Sequence, residues 1–188
     1  DFVKMPLAKL LSKDYARALA AGIDTSRASS SAVLGKDILT PADEPTHTTH
    51  FSVVDAAGNA VSNTYTLESG YGSGLVVAGF LMNNEMGDFN QKPGFTANFG
   101  PIGTPANVIA PGKRMLSSMS PVIVTKGGAL RLVTGSPGGR TIPNTVLNVV
   151  LGVTAFGETL RAAVDAPRLH HQWMADTTRM ESGAASPE

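Results

Sequence analysis

With 188 residues, 42% of them hydrophobic and 16% charged, the sequence has the composition of a globular chain and not of a disordered one. Fifteen basic residues balance fifteen acidic ones and no basic block occurs, so charge draws the chain neither to nucleic acid nor to an anionic membrane surface. The absence of cysteine removes disulfides, thiolate metal sites and a cysteine nucleophile, and no apolar run reaches the length of a membrane span.

In chain order, "SKDYARALAAGI" from Ser12 combines a cap residue, an alanine-rich interior and Gly22 at the stop, which predicts a short helix. The stretch from Asp24 to Thr46 clusters serines, is broken by Pro41 and Pro45 and has no apolar period, so it reads as a linker or mobile arm. "HFSVVD" and "AVSNTYT" around "AAGN" predict two strands joined at Gly58-Asn59. "GFLMNN" (Gly79 to Asn84) reads as a further, buried strand. The polar, glycine- and proline-spotted stretch from Asn90 to Lys113 has the make-up of a functional loop or lid. "PVIVTKGGALRLVT" predicts a second hairpin turning at Gly127-Gly128. Ile142, Val146, Val149, Val150 and Val153 then recur at helical spacing, and "GETLRAAVDAP" is a last short helix. Hairpins followed by helices predict an α+β fold with an antiparallel sheet covered by helices. The opening "DFVKMPLAKLL" and the closing "MESGAASPE" read as the middle of a longer protein.

Several features carry possible chemistry. Gly138 and Gly139 sit where a strand turns into a helix, an arrangement that presents backbone N–H groups to an anion or oxyanion, or is simply a tight turn. Its spacing matches neither a phosphate-binding loop nor a nucleophile elbow. Glu85 and Asp88 in "NNEMGDF" form a carboxylate pair suited to an ammonium group or acid–base work, or belong to an ordinary solvated loop. Ser117 and Ser118 are neutral donors able to hold a carboxylate. His47, His50, His170 and His171 lack metal-site spacing, and His170-His171 reads as locally packed and hydrogen-bonded. A hydrolase without a histidine base can use an amino-terminal threonine, whose own α-amine takes the hydroxyl proton. The loose segment ending "ADEPTH" accommodates a cut that turns one of the two threonines after it, Thr48 or Thr49, into such a terminus, the other being a plain strand residue.

The ordered blocks "TTHFSVVDAAGNAVSNTYTLE", "NNEMGDFNQKPG", "PGKRMLSSMSP", "TGSPGGRTI" and "APRLHHQW" resemble the γ-glutamyltransferase (γ-glutamyltranspeptidase) family, in its bacterial form, over nearly the whole chain. The resemblance implies an N-terminal nucleophile hydrolase with an αββα sandwich, incomplete in this chain, whose precursor cuts itself into a large and a small subunit. The cut then falls between His47 and Thr48. Residues 1–47 correspond to the tail of the large subunit, and 48–188 to the small catalytic subunit without its end. By the same resemblance Thr48 is the nucleophile and Thr66 the threonine that orients it. Glu68, Glu85 and Asp88 meet the substrate α-amino group, Ser117 and Ser118 its α-carboxylate, and Gly138 and Gly139 form the oxyanion hole.

Glu68 stands where many members have asparagine and some have glutamate. Residues 90–111 match the lid loop, with Phe99 where some members carry a tyrosine. The implied substrates are glutathione and related γ-glutamyl compounds, the implied partner is the rest of the large subunit, and no metal or organic cofactor is called for. The implied compartment is periplasmic or secreted. Two other readings stand beside this one: a cephalosporin or glutaryl acylase of the same family, and an uncleaved, inactive structural fragment.

Overall fold

The elements alternate short hairpins with short helices in a computed structural model that describes residues 5–31, 47–92, 95–96, 105–173 and 176–185. Helices α1 (Leu7–Leu10) and α2 (Lys13–Ala21) open the chain, and the Ser12 side chain caps α2 by accepting the Tyr15 backbone N–H at 3.1 Å. Strands β1 (Thr48–Val54) and β2 (Ala60–Thr66) pair antiparallel along their full length. Their turn is built by Asp55, whose carboxylate accepts the N–H groups of Ala57 and Asn59 at 2.9 and 2.8 Å, while Gly58 takes a φ of 84°.

Strands β3 (Val76–Val77) and β4 (Phe80–Leu81) form a minimal ribbon. Here the structure corrects the expectation of a buried strand at "GFLMNN". Ala78 and Gly79 both have positive φ, 50° and 83°, which makes a two-residue turn, and Phe80 is 73% exposed. The loop after it holds β5 (Asn90–Lys92) paired with β6 (Phe95–Thr96), and a 3₁₀ turn at Pro105–Asn107. Much of the expected lid, including Phe99, lies outside the described residues.

Strands β7 (Val122–Lys126) and β8 (Ala129–Thr134) make the second long hairpin, closed by Gly127 and Gly128 at φ 59° and 81°. Helix α3 (Ile142–Thr154) follows, then α4 (Leu160–Asp165), capped by the Thr159 hydroxyl. Leu132 of β8, Ile142, Val146 and Val149 of α3 and Ala163 of α4 are all buried. Burial of each large apolar side chain stabilises by about 1.5–3 kcal/mol. A Cβ on Gly152 would lie 3.0 Å from that of Ala163, so glycine is what lets the two helices close.

The two long hairpins and α3 form the scaffold: β1 and β2 pack against β8, and β8 against α3. Strands β9 (Leu169–His170) and β10 (Arg179–Met180) form a last short pair. The arm expected from Asp24 is not loose at Ser31. That residue is buried, and its hydroxyl and N–H both donate to the Asp176 carboxylate, at 2.6 and 3.1 Å. Residues 32–46 lie outside the described residues.

Candidate active site

Strand pairing decides which side chains meet. Thr48, the first residue of β1, stands opposite Thr66, the last of β2; His50 stands opposite Thr64, and Ser52 opposite Ser62. Residues opposite one another share a face of the ribbon, so these six make one polar stripe. The other face carries Phe51, Val53, Val61 and Tyr65, all exposed, with the Phe51 and Tyr65 rings in edge contact at 6.3 Å. The hairpin thus turns its polar face toward β8 and leaves its apolar face open.

At the head of that stripe the Thr66 hydroxyl donates to the carbonyl oxygen of His47 at 3.1 Å and accepts the Glu68 N–H at 2.9 Å. The second bond fixes the hydroxyl so that its proton points at the His47–Thr48 peptide. A donor on that carbonyl polarises its carbon toward attack.

A carboxyl cluster grows from the loop after β2. Glu68 is buried and has a left-handed φ of 72°, a conformation asparagine adopts more readily than glutamate. The Asn84 amide donates to its carboxylate and, at 3.1 Å, to the Ser69 hydroxyl, while the Ser69 N–H donates to Asn84 Oδ1 at 3.2 Å. These bonds hold the Glu68 loop against the 3₁₀ turn Glu85–Asp88. Burial raises the Glu68 carboxyl above its usual range, with the Asp88 charge adding to the rise. Burial, then the charges of Asp88 and Glu68, push Glu85 up to about 7. Among the described residues its Oε1 is buried without a hydrogen-bond partner. Glu85 also shares a hydrogen bond with the Asp88 carboxyl, so the crowded group holds on to a proton, and a cation arriving among the three carboxyls would offset their mutual repulsion.

Beyond β8, Gly138 and Gly139 have φ of 131° and 55°, and the Gly138 carbonyl accepts the Thr141 hydroxyl at 2.8 Å and N–H at 3.0 Å. The Ser118 hydroxyl donates to the Gly139 carbonyl at 2.8 Å, tying the serine pair to the glycine turn. Holding that carbonyl on Ser118 commits the Gly139–Arg140 peptide plane, and with it the direction of the Arg140 N–H. Ser117 is exposed, and its hydroxyl accepts the Met119 N–H at 3.3 Å.

His50 is the residue that reading the sequence missed. Its imidazole bonds Thr64 Oγ1 at 2.8 Å and Ser52 Oγ at 3.0 Å and sits against Gly135, where any Cβ would overlap the ring. The Ser62 hydroxyl donates to the Thr134 carbonyl at 2.9 Å beside it. The nucleophile candidate's strand is therefore locked to β8 just before that strand enters the glycine turn. Burial holds the imidazole below its ordinary pKa, which suits a neutral strut. The available signal was alternation: a histidine two residues from Thr48 shares its face. His170 and His171 serve elsewhere. The first meets the Asn144 amide at 3.1 Å, and the second lies 3.3 Å from Asp176, whose carboxylate also takes the Ser31 hydroxyl. Serine there bonds aspartate and not histidine, so these three are no hydrolytic triad. Among the described residues no histidine and carboxylate group could hold a metal ion, and no helix is long and apolar enough to cross a membrane.

This arrangement has close counterparts. A crystal structure of a mutant Helicobacter pylori gamma-glutamyltranspeptidase superposes with a TM-score of 0.68 at 49% identity, over 73% of this chain and 75% of that one. A highly active mutant of the Pseudomonas nitroreducens enzyme gives 0.66 at 53% identity, over 74% of each chain. The fold is that of the N-terminal nucleophile hydrolases, an αββα sandwich of which this chain carries a part.

The glutathione hydrolase proenzyme of Escherichia coli is 48% identical over 185 residues, and that of Pseudomonas aeruginosa 48% over 180. These alignments cover 97% and 95% of this chain but only 32% and 31% of the relatives, so the chain spans about a third of their length. The family model for gamma-glutamyltranspeptidase matches residues 1–188, and the chain belongs to that family.

Proposed function

We propose that this chain is the catalytic portion of an enzyme that transfers the γ-glutamyl group of glutathione and related compounds to amino acids, peptides or water. The observation that carries the reading is the pairing of Thr48 with Thr66, whose hydroxyl is aimed at the His47 carbonyl. In the first step Thr48 Oγ attacks that carbonyl and the His47–Thr48 C–N bond breaks, which turns the peptide into an ester and frees the Thr48 amine; water then hydrolyses the ester, releasing the His47 carboxylate and restoring the Thr48 hydroxyl. Residues 1–47 then end the large subunit and 48–188 belong to the small one.

In turnover the freed amine, with a reference pKa of about 7.7–8.0, takes the hydroxyl proton as Thr48 attacks the γ-glutamyl carbonyl. The N–H groups around Gly138 and Gly139 stabilise the oxyanion, the amine of the leaving peptide departs, and an acceptor amine or water resolves the threonine ester. The Glu68, Glu85 and Asp88 cluster receives the substrate ammonium, and the buried Glu85 Oε1, without a partner among the described residues, supports that assignment over an acyl group lacking an amine. Ser117 and Ser118 receive the α-carboxylate. The open apolar face of β1–β2 is where the remainder of the large subunit packs, giving a heterodimer from one precursor. The enzyme works in the periplasm or outside the cell.

The test is to produce the full-length parent, take the mass and amino-terminal sequence of each chain, and assay γ-glutamyl anilides. A chain beginning Thr-Thr-His-Phe and anilide release that needs it are expected. An uncut chain after long incubation, or cut protein without γ-glutamyl activity, overturns the proposal.

A further inference from the structure

The sequence gives Asn107 no role of its own within the Asn90–Lys113 loop, yet its amide connects the two halves of the proposed substrate-head site. Its Nδ2 donates to the Asp88 carbonyl at 2.7 Å and to Asn90 Oδ1 at 3.2 Å, and its Oδ1 accepts the Leu116 N–H at 2.9 Å. One side chain thereby grips the backbone of a cluster carboxylate on one side and the residue before Ser117 on the other. The platform below is firm: Asn90 is fully buried, and its carbonyl accepts the Ile109 N–H at 2.9 Å. Lys113 closes the intervening turn by donating from Nζ to the carbonyls of Val108, at 2.9 Å, and Ala106.

We propose that Asn107 is a positioning residue that sets the spacing between the ammonium-binding carboxyls Glu85 and Asp88 and the carboxylate-binding pair Ser117 and Ser118, and so selects donors with an α-amino acid head. This rests on the γ-glutamyl reading above. An amide is required because two partners are acceptors and one is a donor. Aspartate has the same shape but only accepts, so it would repel the Asp88 carbonyl and Asn90 Oδ1 while keeping Leu116. Serine can donate and accept but is too short to span both sides. None of the three partners lies on β1 or β2, so self-cleavage at Thr48 does not depend on this residue.

Spacing matters only to a substrate held at two points. The experiment compares wild type, Asn107→Asp and Asn107→Ser in the full-length, self-cleaved enzyme on three anilides: γ-glutamyl, glutaryl (no amine) and 4-aminobutyryl (no carboxylate). Both variants are expected to cut themselves normally. Their kcat/KM for the γ-glutamyl anilide should drop ~10-fold or more, mostly in KM, with the two single-point donors changed by less than about twofold. An equal fall on all three donors, an unchanged preference, or loss of self-cleavage in both variants overturns the proposal. If only the aspartate variant fails to cut, the serine variant decides by the same criteria. Wild-type enzyme that does not favour the γ-glutamyl anilide would instead bring down the parent reading, and this inference with it.

Discussion

The chain contains two hairpins of very different fate. The β1–β2 pair runs seven residues per strand, turns a largely half-buried polar face toward β8 and carries the paired threonines. The β3–β4 ribbon has two residues per strand, turns tightly at Ala78-Gly79, and exposes Val76, Val77, Phe80 and Leu81. Both are rich in strand-forming residues, so propensity does not separate them. What separates them is a neighbour: β8 and the Gly135 that follows it, where the Ser62 hydroxyl finds the Thr134 carbonyl and the His50 ring, bonded within its own hairpin to Thr64 and Ser52, comes to rest. A hairpin becomes a site when its polar groups are held by another element, because buried hydrogen-bonding groups need matched partners and so fix a single geometry.

The contrast can be broken experimentally, and the largest break is Thr48→Ala in the full-length parent. It should abolish self-cleavage and lower γ-glutamyl transfer by about ten-thousand-fold or more, read by electrophoresis and anilide release. Residual cutting at the normal site would place the nucleophile elsewhere. Next comes Gly138→Ala, where φ is 131° and the new Cβ would lie 2.5 Å from Thr141 Oγ1. Losing the glycine turn's N–H geometry should cost roughly 100–1000-fold in kcat with KM little changed. A change confined to KM would remove the turn from oxyanion stabilisation.

Gly135→Ala tests the lock itself. Its Cβ would drive His50 off β8, with an expected loss of about 1–3 kcal/mol in denaturant unfolding and a parallel fall in activity. Normal stability would mean that His50 is not a strut. The pH dependence is gentler. Glu85 titrates at about 7, so below that pH the carboxyl is protonated and lacks the charge an ammonium needs. KM for a γ-glutamyl donor should therefore fall as pH rises toward 7 and level off above it, by up to about tenfold per unit below that value. Glu85→Gln should flatten the slope, and a wild-type KM independent of pH would deny Glu85 its role. The smallest effect belongs to the ribbon: Phe80→Ser should change kcat/KM by less than about twofold.

Much of this layout is legible in the amino-acid order. Asp55 and Gly58 announce the first turn, Gly127-Gly128 the second, Ser12 caps α2, and the spacing of Ile142, Val146 and Val149 sets the buried face of α3. Each is decided within one turn of helix or a few strand residues, by φ preference, local capping or periodicity. "GFLMNN" misled because an apolar run states only that a residue would gain by burial, not that a neighbour is there to bury it. The site residues could be picked out as motif members, but not as a constellation.

The tertiary structure alone decided that Thr66 points its hydroxyl at the bond before Thr48, that His50 braces β1 on Gly135, that Ser118 orients Gly139, and that Asn107 spans from Asp88 to Leu116. These contacts join segments 9 to 21 residues apart along the chain, or, for His50, different hairpins. Local sequence determines which bonds a side chain is able to make; chain crossing and strand register determine which it makes.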